Sequence, residues 1–287
     1  MASIYKNNQV KTDLMNLYDE KLKCLQIHYT NIDVDTAFGR TRVVKTGNSE
    51  GKKIVMFHGY NAGAPITLEA VKGILDRYCF YVVETIGQAT KSEESSINIK
   101  DDSFALWANE VLEKLEMQKA NIIGISYGAF IVEKLMAHRP ERIAKCILVV
   151  PSGIVNGNVW ESNKKLTLPF LRYKITKQEK HLRAFLNAFA PIEDDFLYKM
   201  LSLIIKGVKL DTRIPKLLKP EAVKNFTAPV YIIAAKNDVY FPGEKIAQRS
   251  KELFSNLKEV HLLENAKHMP SKNSYPIIQQ KIVEWIN

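Results

Sequence analysis

Short apolar runs of strand length alternate with helical segments through most of this chain. The strand-like runs fall at residues 53–57, 78–83, 121–125, 144–150, 230–235 and 259–263. Apolar spacing predicts helices among them, at residues 66–77, 104–115, 127–138, 245–254 and 275–286. The opening differs, with a polar helix predicted at residues 11–25 and a hairpin at residues 27–34 and 40–45. Strand, helix and strand in this rhythm predict a parallel sheet covered by helices on both faces.

The rhythm stops between residues 154 and 225, where apolar side chains have helical spacing instead. A chain of 287 residues has room for two domains or for one α/β domain with an insertion. We predict the second arrangement, with a core of residues 1–153 and 226–287 and a helical insertion at residues 154–225. The insertion's apolar side chains either line a hydrophobic substrate pocket or build its own small core, and helical spacing allows both; they include Phe185, Phe189, Met200 and Leu201.

Three features bear on where this chain works. No apolar run approaches the roughly 18 residues of a spanning helix, so membrane insertion is not expected. The first dozen residues are polar and lack the apolar segment of a secretion signal, which favours the cytoplasm. Cys24, Cys79 and Cys146 are odd in number and widely spaced, so we expect free thiols rather than disulfides or metal ligands.

The chain is basic, with 41 Lys and Arg residues against 31 Asp and Glu and a net charge of +10. Such a charge raises the possibility of a nucleic-acid or membrane-surface protein. Charges of both signs are mixed along the chain and no nucleic-acid-binding module is recognisable, so a nucleic-acid partner is not expected. Steeply salt-dependent binding to polyanions would support such a role.

The most specific local motif is Gly124-Ile125-Ser126-Tyr127-Gly128, a G-x-S-x-G pattern between a predicted strand and a predicted helix. A sharp turn at this point exposes the serine hydroxyl, and the flanking glycines keep side chains out of the bend. An ordinary strand-to-helix turn has the same appearance. A catalytic role for Ser126 therefore depends on two further residues, a base that accepts the serine proton and a carboxylate that holds that base.

Both partners follow later strands. Asp238 comes just after the predicted strand at 230–235, and His268 lies in the loop after the strand at 259–263. Because the carboxyl ends of parallel strands meet at one edge of a sheet, we expect Ser126, Asp238 and His268 to lie close together. His138, His181 and His261 fall in a helix, in the insertion and in a strand, where structural or surface roles explain them.

Attack by Ser126 on a carbonyl group creates an oxyanion that needs preorganised N–H donors. The backbone N–H of Tyr127, at the start of its helix, is one candidate. The loop His58-Gly59-Tyr60 after the third strand offers a second, the N–H of Tyr60, with His58 as a structural residue of that loop. A glycine-rich turn without a catalytic role is the alternative.

These residues together resemble the α/β-hydrolase superfamily, specifically its serine carboxylesterase-like branch with a helical cap, over residues 27–287. The resemblance implies a mostly parallel eight-stranded sheet with helices on both faces and a helical cap. It implies that Ser126 is the nucleophile, His268 the general base and acid, and Asp238 its orienting acid. It further implies Tyr60 and Tyr127 as oxyanion-hole donors, without a metal or other cofactor.

Three positions depart from the family pattern. Glu84 stands where Asp is usual, Ala89 where Gly is usual, and Lys267 replaces the Gly that commonly precedes the histidine. We expect the first two to change loop conformation only. Lys267 puts a cation beside His268, where it can alter the pH dependence of activity or contact an anionic substrate.

The expected activity is hydrolysis of the carboxylic ester of a small-molecule acyl substrate, through an acyl-serine intermediate. Serine at the nucleophile position argues against the dehalogenase and epoxide-hydrolase branches, which attack through a carboxylate. Thioesterase, lactonase and carbon–carbon bond hydrolase chemistry use the same three residues in the superfamily and stay open. A catalytically silent α/β-hydrolase fold that serves as a ligand receptor is the alternative from another class.

Positive charge is concentrated in the insertion. Residues 155–225 hold 14 Lys and Arg against 7 Asp and Glu, an excess of 7 within the chain's +10. The insertion is therefore predicted to be a basic lid that steers anionic substrates towards Ser126.

Overall fold

The computed structural model describes residues 3–211, 213 and 215–287, and its central element is an eight-stranded sheet. Met1, Ala2, Thr212 and Ile214 fall within the predicted core and insertion ranges and lie outside the described residues. The strands are β1 (Tyr29–Thr36), β2 (Gly39–Gly47), β3 (Lys52–Phe57), β4 (Tyr78–Val83), β5 (Ala120–Ile125), β6 (Ile143–Val149), β7 (Val230–Ala235) and β8 (Leu257–Leu263).

The strands lie in the order β1-β2-β4-β3-β5-β6-β7-β8. Only β2 runs against the others, because it pairs antiparallel with both β1 and β4 while every later pair is parallel. The predicted eight-stranded, mostly parallel sheet is confirmed. As a result the carboxyl ends of β3, β5, β6, β7 and β8 meet at one edge, where the loops that carry the candidate residues begin.

Eleven α-helices accompany the sheet in the described part of the chain. They are α1 (Asn8–Leu25), α2 (Gly63–Val71), α3 (Ser103–Lys114), α4 (Tyr127–His138), α5 (Val159–Ser162), α6 (Leu168–Thr176), α7 (Glu179–Asn187), α8 (Asp195–Gly207), α9 (Pro220–Val223), α10 (Gly243–Leu253) and α11 (Tyr275–Ile286). The predicted bounds of α4 and α11 are confirmed. Helix α1 begins three residues before the predicted start because the Asn7 side chain accepts a hydrogen bond from the Val10 N–H and caps it.

Alternate side chains of the inner strands enter two apolar layers, one on each face of the sheet. Val55 and Phe57 of β3 join the layer under α3, α4 and α10, whereas Ile54 and Met56 join the layer under α2 and α11. In the first layer Trp107 is fully buried. Its indole N–H donates to the Thr41 hydroxyl at 2.9 Å, which satisfies the buried polar atom.

The interval between β6 and β7 holds the five helices α5–α9, in the range where the helical insertion is predicted. Apolar side chains of α6, α7 and α8 form a third cluster, which also takes in Leu14 and Leu17 of α1. An isolated antiparallel bridge joins Tyr5 to Val208 just after α8. The amino-terminal segment therefore packs against the inserted helices as well as against the sheet.

All three cysteines are free. Cys79 in β4 and Cys146 in β6 are buried, as their apolar runs predict, whereas Cys24 is exposed on the outer side of α1. In the part of the chain that the structure describes, no helix combines the length and the apolarity needed to cross a membrane.

Candidate active site

Ser126 occupies a turn between β5 and α4 that few residues with a side chain adopt. Its φ is 51° and its ψ is −112°, a conformation that costs on the order of 1–3 kcal/mol. The turn is tight: a Cβ atom added at Gly128 would lie 2.0 Å from the Phe57 carbonyl oxygen, and one added at Gly124 would lie 2.7 Å from the Ala129 Cα. Both flanking glycines of the motif are thus required by close backbone approach.

Hydrogen bonds hold this turn on both sides of Ser126. Its N–H donates to the Val149 carbonyl oxygen at the end of β6, at 2.9 Å. Its carbonyl oxygen accepts from the Ala129 N–H at 2.9 Å and from the Ser152 hydroxyl at 3.0 Å. The surrounding structure therefore determines the strained conformation, and the hydroxyl of Ser126 projects from a rigid point.

A continuous chain of hydrogen bonds joins Ser126, His268 and Asp238, the three residues that were predicted to lie close together. Ser126 Oγ lies 2.8 Å from His268 Nε2, and His268 Nδ1 lies 2.7 Å from Asp238 Oδ2. An ionised carboxylate only accepts hydrogen bonds, so Nδ1 carries the proton and Nε2 is left free to accept from the serine hydroxyl. This is the protonation state that a general base for Ser126 requires.

Asp238 is held in place by its second oxygen. Its carboxylate is fully buried, and Oδ1 accepts from the Tyr240 N–H at 2.8 Å and from the Phe241 N–H at 3.0 Å. The rings of Tyr240 and Phe241 also meet the His268 ring edge-on, with centroids 5.2 and 5.3 Å away. One short segment after β7 thus positions the carboxylate and the imidazole together. Tyr240 and Phe241 are not among the predicted site residues, although their position two and three residues after Asp238 was the available signal.

The loop after β3 runs directly against Ser126: a Cβ atom added at Gly59 would lie 3.6 Å from the Ser126 Cβ. His58 organises the loop as predicted, since Nδ1 donates to the Gly59 carbonyl at 2.7 Å and Nε2 accepts from the Thr85 N–H at 3.0 Å. Complete burial lowers the pKa of His58 to about 4, because the charged ring would lose its hydration. His58 is therefore neutral at physiological pH.

A reciprocal pair of hydrogen bonds fastens this loop to the loop after β4. The Asn61 N–H donates to Gln88 Oε1 at 2.7 Å, and the Ala89 N–H donates to Asn61 Oδ1 at 2.8 Å. Asn61 has a φ of 55°, a conformation that asparagine tolerates better than most residues. This pairing lies next to Tyr60, whose backbone N–H is a predicted oxyanion donor. Asn61 and Gln88 are not among the predicted site residues, because nothing in their spacing along the chain shows that the two loops meet.

Glu84 joins the same two loops. It is fully buried, and its two carboxylate oxygens accept from the Ala64 N–H at 2.9 Å and from the Lys91 N–H at 2.7 Å. Burial raises the pKa of Glu84 despite these hydrogen bonds. The glutamate thus ties the start of α2 to the β4 loop, which is a larger role than the change of loop conformation expected from its departure from the family pattern.

Neither predicted oxyanion donor is used elsewhere in the described part of the chain: the N–H groups of Tyr60 and Tyr127 have no backbone acceptor there. Tyr127 is the first residue of α4, where N–H groups point out of the helix end. The rings of Tyr60 and Tyr127 are 5.5 Å apart, and the Tyr60 hydroxyl accepts from the Asp211 N–H at 2.7 Å. The segment after α8 therefore covers this side of the site.

The five predicted substrate-binding residues divide by position. Phe185 and Phe189 form an aromatic path to the site, since the Phe189 ring lies 5.4 Å from that of Phe185 and 5.5 Å from that of Tyr240. Met200 and Leu201 belong to the insertion's apolar cluster on α8. Lys267 donates to the Asn187 side chain at 2.7 Å and so links the histidine loop to the end of α7.

A hydrogen-bonded Ser–His–Asp chain at the carboxyl edge of a mainly parallel sheet, with the serine in a strained strand-to-helix turn, defines the class of α/β hydrolases. The family model described as alpha/beta hydrolase fold matches residues 52–200, just over half of the chain. The chain belongs to this family. No group of three or more His, Cys, Asp or Glu side chains among residues 3–211, 213 and 215–287 is arranged to hold a metal ion.

Individual relatives match over nearly the whole chain. The carboxylesterase YbfK of Bacillus subtilis (strain 168) is 19% identical over 282 residues, which cover 94% of this chain and 92% of the relative. The crystal structure of naproxen esterase from Bacillus subtilis superposes with a TM-score of 0.78 at 17% identity, over 96% of this chain and 97% of that one. Carboxylesterase CesB (YbfK) from the same species reaches a TM-score of 0.80 at 17% identity, over 97% and 98%.

Because the turn at Gly128 is so tight, a methyl group at this position should destabilise the protein more than one at Gly73. In Gly128→Ala the new methyl group meets a backbone carbonyl that cannot rotate away, so we expect the free energy of unfolding to fall by about 3 kcal/mol. Gly73→Ala is the matched control, because the methyl group there meets only the flexible end of the Gln279 side chain. Urea unfolding of both variants measures the difference; equal stability would contradict the packing described for the turn.

The buried neutral His58 predicts acid sensitivity. The pKa of His58 is about 6.5 in the unfolded chain and about 4 in the folded protein, so between these values only the unfolded chain binds the proton. Because the unfolded state binds more protons in this window, stability falls as the pH is lowered, by about 2 kcal/mol from this residue between pH 7 and pH 5. Denaturant unfolding of the wild type and of His58→Asn at both pH values measures it. A variant with an unchanged pH slope would contradict the assignment.

Proposed function

We propose that the protein hydrolyses carboxylic esters through an acyl-serine intermediate on Ser126. The observation that carries the proposal is the continuous hydrogen-bond chain from Ser126 Oγ through the His268 ring to the buried Asp238 carboxylate. The names of the relatives support the ester as substrate, since two full-length matches at 19% identity are called carboxylesterases. The small-molecule acyl substrate is the partner that this chemistry requires.

The reaction begins at the serine hydroxyl. As Ser126 Oγ forms a bond to the ester carbonyl carbon, its proton moves to His268 Nε2, and the carbonyl oxygen becomes an oxyanion. The imidazolium that forms is stabilised by the Asp238 carboxylate on Nδ1. Collapse of the tetrahedral intermediate breaks the bond to the alcohol oxygen, and His268 returns the proton to that oxygen as the alcohol leaves.

Water completes the cycle by the same route. His268 takes a proton from a water molecule, whose oxygen attacks the acyl-serine carbonyl carbon. The second tetrahedral intermediate then releases the carboxylic acid, and Ser126 recovers its proton from His268. Every proton that leaves a reacting atom is held on Nε2 and handed back, so the chemistry consumes only the ester and water.

The oxyanion is held by the backbone N–H groups of Tyr60 and Tyr127. Donors of this kind are effective because they are fixed before the reaction starts. The Asn61–Gln88 pair and Glu84 fix the loop that carries Tyr60, while the N-terminus of α4 adds the favourable end of its dipole at Tyr127.

Residues 154–225 act as a lid over this site. Val239, which follows Asp238, and Met269, which follows His268, both belong to the apolar cluster of the inserted helices. The Met269 N–H also donates to the Phe189 carbonyl at 2.8 Å. Phe185 and Phe189, whose rings lead to Tyr240, contact the substrate, whereas Met200 and Leu201 serve mainly as the lid's own core.

Removal of the nucleophile is the direct test. Ser126→Ala should lower kcat on short p-nitrophenyl esters by roughly 10⁵-fold or more, and it should abolish labelling by a fluorophosphonate probe. Ser255→Ala, at an exposed serine, is the control and should keep both properties. Labelling that persists in Ser126→Ala would contradict the assignment, and slow or absent labelling of the wild type would favour a ligand receptor.

Asp238→Asn tests the role of the carboxylate. The asparagine oxygen stays with the Tyr240 and Phe241 N–H groups, so its NH₂ faces His268 and forces Nδ1 to accept a hydrogen bond. Nε2 then carries the proton and cannot take another from Ser126. We expect kcat to fall about 10⁴-fold with little change in KM, and the double variant with Ser126→Ala should be no less active than Ser126→Ala alone. A loss smaller than tenfold would exclude this role.

A further inference from the structure

The insertion presents an apolar face that no part of the described chain covers. Residues 159–176 form one helical run, α5 and α6 joined by a π-helical turn. Its inner side packs into the lid through Leu166 and Tyr173, which are both buried. Its outer side carries Leu168, Leu171 and Ile175 at positions i, i+3 and i+7, so the three share one stripe. Trp160 stands at the start of the run and is 84% exposed.

This exposure is concentrated in one place. Ten large apolar side chains are exposed in the described part of the chain, and five of them lie between Val159 and Ile175. Val159, Trp160 and Ile175 are 71%, 84% and 82% exposed, while the other seven reach at most 50%. Single exposed apolar residues are ordinary, but a stripe of them on one helix marks an interaction surface.

Lysines and an arginine surround the stripe. Residues 159–180 contain 6 Lys and Arg against 2 Asp and Glu. Lys165 pairs with Glu161, whereas Lys164, Arg172, Lys174 and Lys177 form no salt bridge within the residues that the structure describes. Burial, followed by the positive charges of Lys174 and Lys177, lowers the pKa of Lys6. We call residues 159–177 the cationic lid face.

We propose that the cationic lid face docks on an anionic phospholipid bilayer. Trp160 is the side chain suited to the headgroup boundary, and Leu171 and Ile175 are suited to the first acyl carbons below it. Lysine stems extend along the apolar surface while their ammonium groups reach lipid phosphates. The helix lies flat on the bilayer, in keeping with the apolar stripe on one side and the cations that flank it.

The charge and the apolar stripe of the cationic lid face together favour an anionic bilayer over a second copy of the chain or a nucleic acid. A second copy of the chain would bring the same lysines face to face, which like-charge repulsion opposes. A nucleic acid would neutralise the lysines but would leave Trp160 and Ile175 without an apolar environment. An anionic bilayer satisfies both the positive charge and the apolar stripe. The proposal concerns binding alone and is independent of the reaction proposed for Ser126.

The protein carries its own probe for this test. Trp107 and Trp285 are buried, 0% and 3% exposed, so Trp160 supplies the solvent-exposed tryptophan emission. Vesicles of phosphatidylcholine with about one third phosphatidylglycerol should shift this emission to shorter wavelength and protect it from acrylamide, whereas pure phosphatidylcholine vesicles should not. Raising the salt from low to physiological ionic strength should weaken binding by roughly tenfold. Ether-linked lipids exclude any effect of ester hydrolysis.

Matched variants locate the surface. Ile175→Ser should weaken vesicle binding about tenfold, while Ile277→Ser on α11, another exposed isoleucine, should not. The pair Lys174→Gln and Lys177→Gln should weaken it about tenfold, whereas Lys245→Gln with Lys251→Gln on α10 makes the same change in net charge without effect. Far-UV circular dichroism and the urea midpoint check that each variant is folded.

Four results obtained with vesicles or with the protein alone would overturn the proposal. They are an unchanged Trp160 emission with anionic vesicles, equal binding to pure phosphatidylcholine, equal weakening by the two charge pairs, and a shift that appears without vesicles as the protein concentration rises. The last would assign the face to a second copy of the chain. Binding to a DNA duplex that competes with vesicles and produces the same shift would assign it to nucleic acid.

Discussion

The strained turn at Ser126 is the constraint on which the site depends. Two backbone segments pass so closely there that Gly128 has no room for a methyl group, and Ser126 must adopt a positive φ to connect β5 with α4. The cost is met by hydrogen bonds from β6 and from the loop that follows it. Because the turn is determined from both sides, the hydroxyl has one position, and every other group of the site is arranged relative to it.

The remaining groups are positioned by loops that support one another. Asp238 is fixed by the backbone N–H groups of Tyr240 and Phe241, and the rings of these two residues in turn confine His268. The loop that carries Tyr60 is fixed by Asn61, Gln88 and Glu84 from the β4 loop. The side-chain oxygens of Asp238, Glu84, Asn61 and Gln88 all accept hydrogen bonds and belong to buried residues, which fixes the geometry of both loops. Such preorganisation is what an oxyanion requires.

The inserted helices connect this rigid edge to the outer surface of the molecule. Their inner side shares an apolar cluster with Val239 and Met269, next to Asp238 and His268. Their outer side carries the exposed stripe, on a run whose residues 159–180 hold 6 Lys and Arg against 2 Asp and Glu. The basic character that first suggested steering of anionic substrates thus lies partly on a face that also exposes Trp160 and Ile175. Positive charge and an apolar stripe on one face fit an anionic bilayer better than a soluble anion, because a soluble anion would leave the stripe in water.

Local patterns in the chain were enough to predict the fold class, the sheet and the three residues Ser126, Asp238 and His268. Apolar periodicity indicates which side chains face a core, and the ends of parallel strands indicate which loops lie at the same edge of the sheet. Both can be recognised from short segments of sequence, which is why the fold class and the three residues could be predicted. The pairing of Asn61 with Gln88, the links made by Glu84 and the edge-on packing of Tyr240 on His268 could not be read this way. They join residues that are distant along the chain or depend on ring orientation, and both are set only when the sheet has formed and the loops have packed. The same holds for the cationic lid face. The sequence shows that its residues are apolar and helical in spacing, but only the packed structure shows that Leu166 and Tyr173 are buried while Trp160 and Ile175 remain in water.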